Sequence, residues 1–163
     1  VNGWRTLFGL GNYGMNYKKR AFIAHYGLGA NLSEDTLYPT GLFDADGEPF
    51  HGKNKYHLHF PKGQLPPAKA FWSLTMYNNS AFLVENPIQR FAIGDRDNLQ
   101  YNEDGSLDIW IQQEAPESTK MSNWLPAPSE KFMLTLRIYW PEVSVLEGTW
   151  AAPSVQKILI SEF

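Results

Sequence analysis

Two histidines at alternate positions are the first residues of this sequence whose types and spacing suggest chemistry. Within residues 55–60, polar side chains alternate with apolar ones, and the polar set is Lys55, His57 and His59. Successive side chains of a β-strand point to opposite faces, so these three groups share one face. Imidazole exchanges protons near neutral pH, which makes this face a candidate catalytic surface.

Two further groups complete a predicted catalytic set with His57 and His59. Tyr77 supplies a phenolic proton donor, and Arg90 supplies a planar fork that binds a carboxylate. Such a set suits β-elimination from a uronic acid. That reaction needs a neutralised carboxylate, a base for the C5 proton and an acid for the leaving oxygen.

Cationic and aromatic residues form a second candidate set, for ligand binding. No acid occurs between Glu48 and Glu85, a stretch that carries four lysines and three histidines. Cations bind an acidic ligand and aromatic rings stack on a sugar. The predicted ligand-binding residues are Lys53, Lys55, Trp124 and Arg137. Three interpretations that involve no ligand stay open: the charges even out on the folded surface, Trp124 closes one end of the core, and Arg137 is an ordinary outward residue.

The His-x-His spacing also raises the question of a metal site. Two imidazoles on one strand face can share an ion. No histidine follows His59, however, and Lys53 and Lys55 would repel a cation. We therefore predict no metal and no cofactor. Asp44-x-Asp46-Gly47 is interpreted as a turn, because the other positions of a calcium loop are absent.

The elements that must position these residues are mostly short strands. Residues 4–28 are predicted to be helical, with a buried stripe of Tyr17, Ala21, Ala24 and Leu28. Alternating strands and turns follow, which predict a mainly β fold: an antiparallel, jelly-roll-like β-sandwich with an N-terminal helical segment. A loop is predicted over residues 115–131. The next strand, residues 132–140, places Trp140 on its apolar face, and residues 155–160 form the last predicted strand. We divide the chain into this segment, residues 1–32, and a β-sandwich domain, residues 33–163.

Composition excludes several classes of function. The chain has 163 residues, a net charge of −3 and no cysteine, which argues against a general nucleic-acid binder and rules out thiolate chemistry. We find no apolar run long enough to span a membrane. Because the sequence starts at Val1 and shows no signal peptide, we expect a fragment of a longer protein.

Seven motifs occur together in a familiar order: "YGLGANLSEDTLYP", "PPAKAFWSLTMYN", "NPIQRFAIGDRDNL", "NEDGSLDIWIQ", "NWLPAP", "LRIYWP" and "VLEGTWAAPSV". With them the chain resembles the domain of unknown function family 1214 from about Asn2 to Ile158. One departure is Phe91, where the family pattern has Tyr. The resemblance implies a jelly-roll-like sandwich, an N-terminal partner half of family 1254 and a periplasmic or secreted location. It implies no reaction.

Three hypotheses about function remain. The first is a ligand-binding domain of a larger exported bacterial protein, with a carbohydrate or another small anionic molecule as its ligand. The second is the lyase-type enzyme described above. The third is a structural domain that self-associates through its helix and exposed aromatic residues, giving a homo-oligomer.

Overall fold

The computed structural model describes residues 1–159 and contains ten strands. In chain order these are β1 (Trp4–Arg5), β2 (Thr36–Leu37), β3 (Thr40–Gly41), β4 (Lys55–Phe60), β5 (Ala68–Asn78), β6 (Ala92–Gly94), β7 (Leu107–Gln112), β8 (Trp124–Pro126), β9 (Phe132–Pro141) and β10 (Val155–Ile158). The helices are α1 (Tyr17–Tyr26), a 3-10 helix (Ser118–Asn123) and the short α2 (Val143–Leu146). The predicted last strand included Ile160, which lies outside the described residues, as do residues 161–163 of the predicted sandwich domain.

The strands form two sheets, as expected for a mainly β protein. One sheet has six strands in the order β1-β3-β9-β5-β6, with β2 also paired to β9, and the other has four in the order β10-β4-β7-β8. All pairs are antiparallel except β7 with β8, which is parallel. This parallel pair departs from the predicted purely antiparallel arrangement. Residues 115–131, predicted to be a loop, supply both the 3-10 helix and β8.

The two sheets share one hydrophobic core. Alternate residues of β4, β5, β7 and β9 are buried in it, as the apolar pattern predicts. Aromatic rings join the sheets directly, because Phe60 of β4 lies 5.7 Å from Trp72 of β5 and Tyr56 lies 5.7 Å from Phe132 of β9. The prolines after β4 therefore carry the chain from one sheet to the other. Polar residues between the buried ones point away from the core.

The N-terminal segment differs from its prediction. Only Tyr17–Tyr26 is helical, and Trp4–Arg5 pairs as a strand with Thr40–Gly41. The buried residue of α1 is Ile23, whereas Tyr17 and Leu28 of the predicted stripe are exposed. The stripe was wrong because helix α1 packs through a single side chain.

Trp140 is a second departure from the predicted pattern. Alternation along β9 predicted that it would be buried with Phe132, Leu134, Leu136 and Ile138, but it is 60% exposed. Its φ of 52° breaks the extended geometry one residue before Pro141, and this turns the side chain outward.

Within residues 1–159 no helix has the length and apolarity needed to cross a bilayer.

Candidate functional site

His57 and His59 meet a carboxylate on the outer face of the four-stranded sheet. In the antiparallel pair of β4 with β7, His59 lies opposite Asp108 and His57 lies opposite Trp110. Asp108 Oδ1 is 2.7 Å from His57 Nε2 and 2.6 Å from His59 Nδ1. We call these three residues the histidine–aspartate cluster. The predicted cationic row on β4 is therefore paired with an acid.

Neighbouring side chains hold the cluster in place. Asn102 Nδ2 donates to the second oxygen of Asp108, Oδ2, at 2.9 Å. The indole of Trp110 stacks on the His57 ring, with centroids 4.6 Å apart and planes 14° apart. The ammonium of Lys120 covers Trp110 at 4.4 Å from the ring centroid. The cluster remains accessible, because His59 keeps 43% of its side-chain surface exposed and His57 keeps 26%.

The Asp108 carboxylate is stabilised in its ionised form. Partial burial raises its pKa, but hydrogen bonds from His59, Asn102 and His57 more than offset this, so the net pKa lies below the usual range. Asp108 is therefore a charged acceptor at neutral pH. It can orient an imidazole for proton transfer or act as an oxygen ligand for a metal ion.

The other two predicted catalytic residues lie elsewhere. Tyr77 points outward from the six-stranded sheet, on the opposite side of the core from His57 and His59. Arg90 donates through Nη1 to the carbonyl oxygens of Met121, Ser122 and Trp124, at 2.9, 3.3 and 2.8 Å. These bonds connect Arg90 to the end of the 3-10 helix and the first residue of β8. The four predicted catalytic residues thus do not form one site.

Arg137 and Tyr77 come together on the outer face of the six-stranded sheet. The register places Arg137 of β9 opposite Ser73 of β5, so its guanidinium reaches diagonally along β5. Nη1 donates to the hydroxyl of Thr75, and Nη2 donates to the hydroxyl of Tyr77. The aromatic ring of Tyr38 lies beside the guanidinium, 6.0 Å from it. The strand pairing therefore fixes the Arg137 fork in one orientation.

Arg137, Tyr77 and Tyr38 form the floor of a cleft of about 900 Å³ beneath the N-terminal segment. We call it the Arg137 cleft. Its walls are mostly apolar and include Leu7, Phe22, Ile23 and Met133. Among the residues that the structure describes, two arginines, Arg5 and Arg137, line the cleft, and no Asp or Glu does. The size and lining are those of a pocket for a small organic molecule.

Two polar groups in this cleft have unused bonding capacity. Thr36 lines the cleft, and its hydroxyl oxygen, which is closed to solvent, has no hydrogen-bond partner among the described residues. Within residues 1–159, no carboxylate lies within 4.0 Å of the Arg137 guanidinium, since the ion pairs found there all involve Asp108. An anionic ligand atom that accepts from the remaining N–H groups of Arg137 would therefore be stabilising here.

The predicted ligand-binding residues separate in the same way. Trp124 is buried, with 3% of its surface exposed, and its Nε1 donates to the Gln112 carbonyl at 2.9 Å. It packs in the sheet and does not face a ligand. Lys53 is exposed in the turn before β4, and Lys55 lies at the start of β4, opposite Ile158. Arg137 is the one member of the set that lies in the cleft.

A family model described as "Protein of unknown function (DUF1214)" matches residues 35–143. This chain belongs to the DUF1214 family. The match covers β2 to β9, and with them the histidine–aspartate cluster and the floor of the Arg137 cleft. No curated protein matches the chain.

Two solved structures are similar to this DUF1214 chain. One is the VPA0106 protein from Vibrio parahaemolyticus, with 23% identity and a TM-score of 0.75, over 88% of this chain and 35% of that one. The other is a putative uncharacterized protein from Burkholderia cenocepacia, with 14% identity and a TM-score of 0.48, over 80% of this chain and 31% of that one. The likeness to the Vibrio protein concerns the fold alone. This chain spans about a third of each of the two proteins.

Sequence reasoning missed Asp108 and Thr36 as site residues of this family member. The signal for Asp108 was present, since Asp108 and Trp110 alternate with buried Leu107, Ile109 and Ile111. Alternation puts Asp108 on an outer face, but only the pairing of β7 with β4 brings it to His59. No comparable signal marks Thr36, because its role depends on the segment that covers it.

Proposed function

We propose that this domain binds a small organic anion with an apolar body in the Arg137 cleft. The observation that supports it best is the Arg137 guanidinium on the floor of a mostly apolar cleft, where residues 1–159 give it no acidic partner. A guanidinium has five N–H donors, and the bonds to Thr75 and Tyr77 occupy two of them. The remaining donors suit a carboxylate or a similar anion.

The energetics favour an anion over a neutral ligand. A charge in a partly dry cleft is poorly solvated, so pairing it with an anion stabilises more than a surface ion pair does. The walls contribute hydrophobic burial of the ligand's apolar body at about 25 cal/mol per Å². A carboxylate on an alkyl chain or an aromatic ring combines both features.

A sugar acid is the one kind of carbohydrate ligand that remains part of the proposal. A uronic acid carries the carboxylate that Arg137 would bind, but its hydroxyls need several polar partners. The described lining offers such partners in Asn31, Ser33, Tyr38, Thr40 and Thr135, but most of it is apolar. The cleft therefore favours an alkyl or aryl carboxylate over a sugar acid.

Matched pairs of probes test the proposal by isothermal titration calorimetry. Octanoate and 1-octanol share a chain length and differ in charge, and glucuronate and glucose differ in the same way. We expect octanoate to bind with a 1:1 stoichiometry and octanol to bind at least about tenfold more weakly, since one charge-assisted bond contributes 1.4 kcal/mol or more. Weaker binding of glucuronate than of octanoate would support the alkyl or aryl ligand.

Variants locate the site. Arg137→Gln should remove the preference for octanoate over octanol, and Arg137→Lys should keep part of it, because lysine retains the charge without the fork. Arg96→Gln is the control, since Arg96 stacks on Phe71 and does not line the cleft. Unchanged octanoate affinity in Arg137→Gln would contradict the proposal.

A second candidate function is association through the N-terminal segment. Nine of the sixteen large apolar side chains exposed in residues 1–159 belong to residues 1–32. Such a concentration is typical of a surface that contacts another protein. The resemblance suggests a family 1254-like half as the partner, and another copy of this chain is the alternative.

The lyase-type alternative has less support. Tyr77 and Arg90 lie away from His57 and His59, so elimination would have to use the two histidines with other groups. Incubation with a panel of polyuronates tests it, because elimination leaves an unsaturated sugar that absorbs ultraviolet light.

Two expectations from the resemblance complete the proposal. The finer topology is proposed to be jelly-roll-like, with α1 as the N-terminal helical element. The location is proposed to be periplasmic or secreted, which cell fractionation with an antibody to the protein would test.

A further inference from the structure

The histidine–aspartate cluster has the composition of a metal site. Each of His57, His59 and Asp108 offers one ligand atom, and the three atoms lie within 4.8 Å of one another. Two of the ligands come from one strand at a spacing of two, and the third comes from the neighbouring strand at the register position opposite His59. The backbone of two paired strands therefore holds all three in place.

We propose that His57, His59 and Asp108 bind one divalent first-row transition-metal ion, such as zinc. Tetrahedral zinc holds ligand atoms about 3.4 Å apart at bonds of about 2.0–2.1 Å. The two nitrogen–oxygen distances of 2.7 and 2.6 Å would each open by less than about 1 Å. Rotation of these three half-buried side chains would supply this without moving the backbone.

The ligand types select the class of ion. Two imidazoles and one carboxylate suit zinc, iron, cobalt or manganese, whereas calcium and magnesium prefer an all-oxygen shell. Three protein ligands leave at least one coordination position for water or another molecule. The exposure of His59 places that position toward solvent.

Surrounding contacts already orient the ligands. Asn102 occupies Oδ2 of Asp108, which leaves Oδ1 facing both imidazoles. Stacking on Trp110 fixes the ring plane of His57. Outer contacts of this kind commonly set the direction and tautomer of metal ligands. For His57 and His59 the metal would replace the ring protons that face Oδ1, and each ring would carry its proton on the other nitrogen.

The lysines near the cluster do not prevent it from binding a metal ion. The ammonium of Lys120 is directed at the face of Trp110, and Lys55 lies two residues from His57 along β4. Asp108 supplies one negative charge inside the cluster, and Asp104 adds another close to His59. In the sequence, the charged residues nearest to the histidines are lysines. The fold brings Asp104 and Asp108 close to the histidines as well.

Titration of EDTA-treated protein with Zn²⁺ and with Co²⁺ tests the proposal. We expect one ion per chain by calorimetry, a rise in Tm with Zn²⁺ that EDTA reverses, and Co²⁺ absorption bands of a nitrogen- and oxygen-ligated ion. Co²⁺ should also quench tryptophan fluorescence, because Trp110 lies against His57. No saturable binding of either ion would overturn the proposal.

Matched variants assign the ligands. His59→Gln, His57→Gln and Asp108→Asn should each weaken Zn²⁺ binding by at least about tenfold, the loss seen even for outer contacts of metal sites. His25→Gln is the control, since His25 lies on α1 outside the cluster. Wild-type affinity in His59→Gln and Asp108→Asn, or an equal loss in His25→Gln, would contradict the assignment.

This site is independent of the Arg137 cleft, which lies beyond the other sheet. Circular dichroism spectra and melting curves check that each variant folds. Arg137→Gln, which tests octanoate binding, should leave Zn²⁺ affinity unchanged. A loss of Zn²⁺ binding in Arg137→Gln would count against the assignment of the ion to the cluster.

Discussion

Asp108 orients the side chains of His57 and His59 on the outer face of the four-stranded sheet. It accepts hydrogen bonds from His57, His59 and Asn102, so three donors converge on one carboxylate. The side chain is only 20% exposed, and water competes weakly for these bonds. The carboxylate therefore determines where both imidazoles point.

Asp108→Asn should lower the free energy of unfolding at pH 5 by about 1–2 kcal/mol. An amide has one acceptor oxygen where the carboxylate has two, so at least one of the three donors loses its partner. Urea denaturation of both proteins measures the difference.

The stabilisation should depend on pH in a defined direction. Because the folded-state pKa of Asp108 is lowered, its contribution is present above the unfolded value of about 3.9 and is lost as pH falls through the folded pKa. The stability gap between wild type and Asp108→Asn should therefore shrink between pH 5 and pH 3. A gap of the same size at both pH values would contradict this account.

The sequence predicted the faces of individual residues better than their partners. Alternation correctly placed His57 and His59 away from the core, with Tyr56, Leu58 and Phe60 inside it. It could not bring Asp108 to them, because that contact depends on which strands pair and in which register. Trp124 was predicted to bind a ligand because aromatic rings stack on sugars, and the parallel strand β8 that buries it gave no alternating signal.

At the scale of elements, short segments depend on side chains for their position. Strand β8 is only three residues long and is preceded by the 3-10 helix. The guanidinium of Arg90 donates hydrogen bonds to three carbonyl oxygens at this junction and so connects the 3-10 helix to β8. Arg90, which the sequence predicted to be catalytic, therefore stabilises the junction between the 3-10 helix and β8.

Arg90→Met should destabilise the domain by about 2 kcal/mol or more, because carbonyl oxygens lose charge-assisted bonds in a half-buried place. Arg96→Met is the matched control. It loses a stacking contact with Phe71 at 3.9 Å, for which about 1 kcal/mol or less is expected. Urea denaturation compares the two, and an equal cost in both variants would show that the Arg90 contacts contribute little.

The helical prediction failed for a related reason. Residues 4–28 contain enough apolar residues for a helical stripe, but Trp4–Arg5 gains strand pairing with Thr40–Gly41, and its indole Nε1 donates to the Pro153 carbonyl at 2.8 Å. These partners are distant in sequence. Local periodicity cannot reveal them, and tertiary contacts override it.

At the scale of the whole molecule, the two outer faces differ in character. The four-stranded sheet presents the polar histidine–aspartate cluster, whereas the six-stranded sheet is covered by the N-terminal segment with its exposed apolar residues. The proposed metal site and the proposed association surface therefore lie on opposite sides. A partner on the N-terminal side would leave the cluster accessible.

We expect the isolated domain to self-associate as its concentration rises, because Met15 is 83% exposed and Tyr17 is 68% exposed. Sedimentation velocity over a range of concentrations measures this. The double variant Met15→Ser/Tyr17→Ser should stay monomeric at higher concentration than wild type, and Trp140→Ser, which alters an exposed residue outside the segment, should not. A wild-type chain that is monomeric at every concentration would contradict the expectation.

The most direct test of the central claim is a crystal structure of the domain grown with 8-bromooctanoate, in which anomalous scattering locates the bromine. We predict the carboxylate within hydrogen-bond distance of the Arg137 guanidinium and the bromine among the apolar walls of the cleft. An Arg137 cleft without ligand density, with the bromine bound on another surface, would contradict the account.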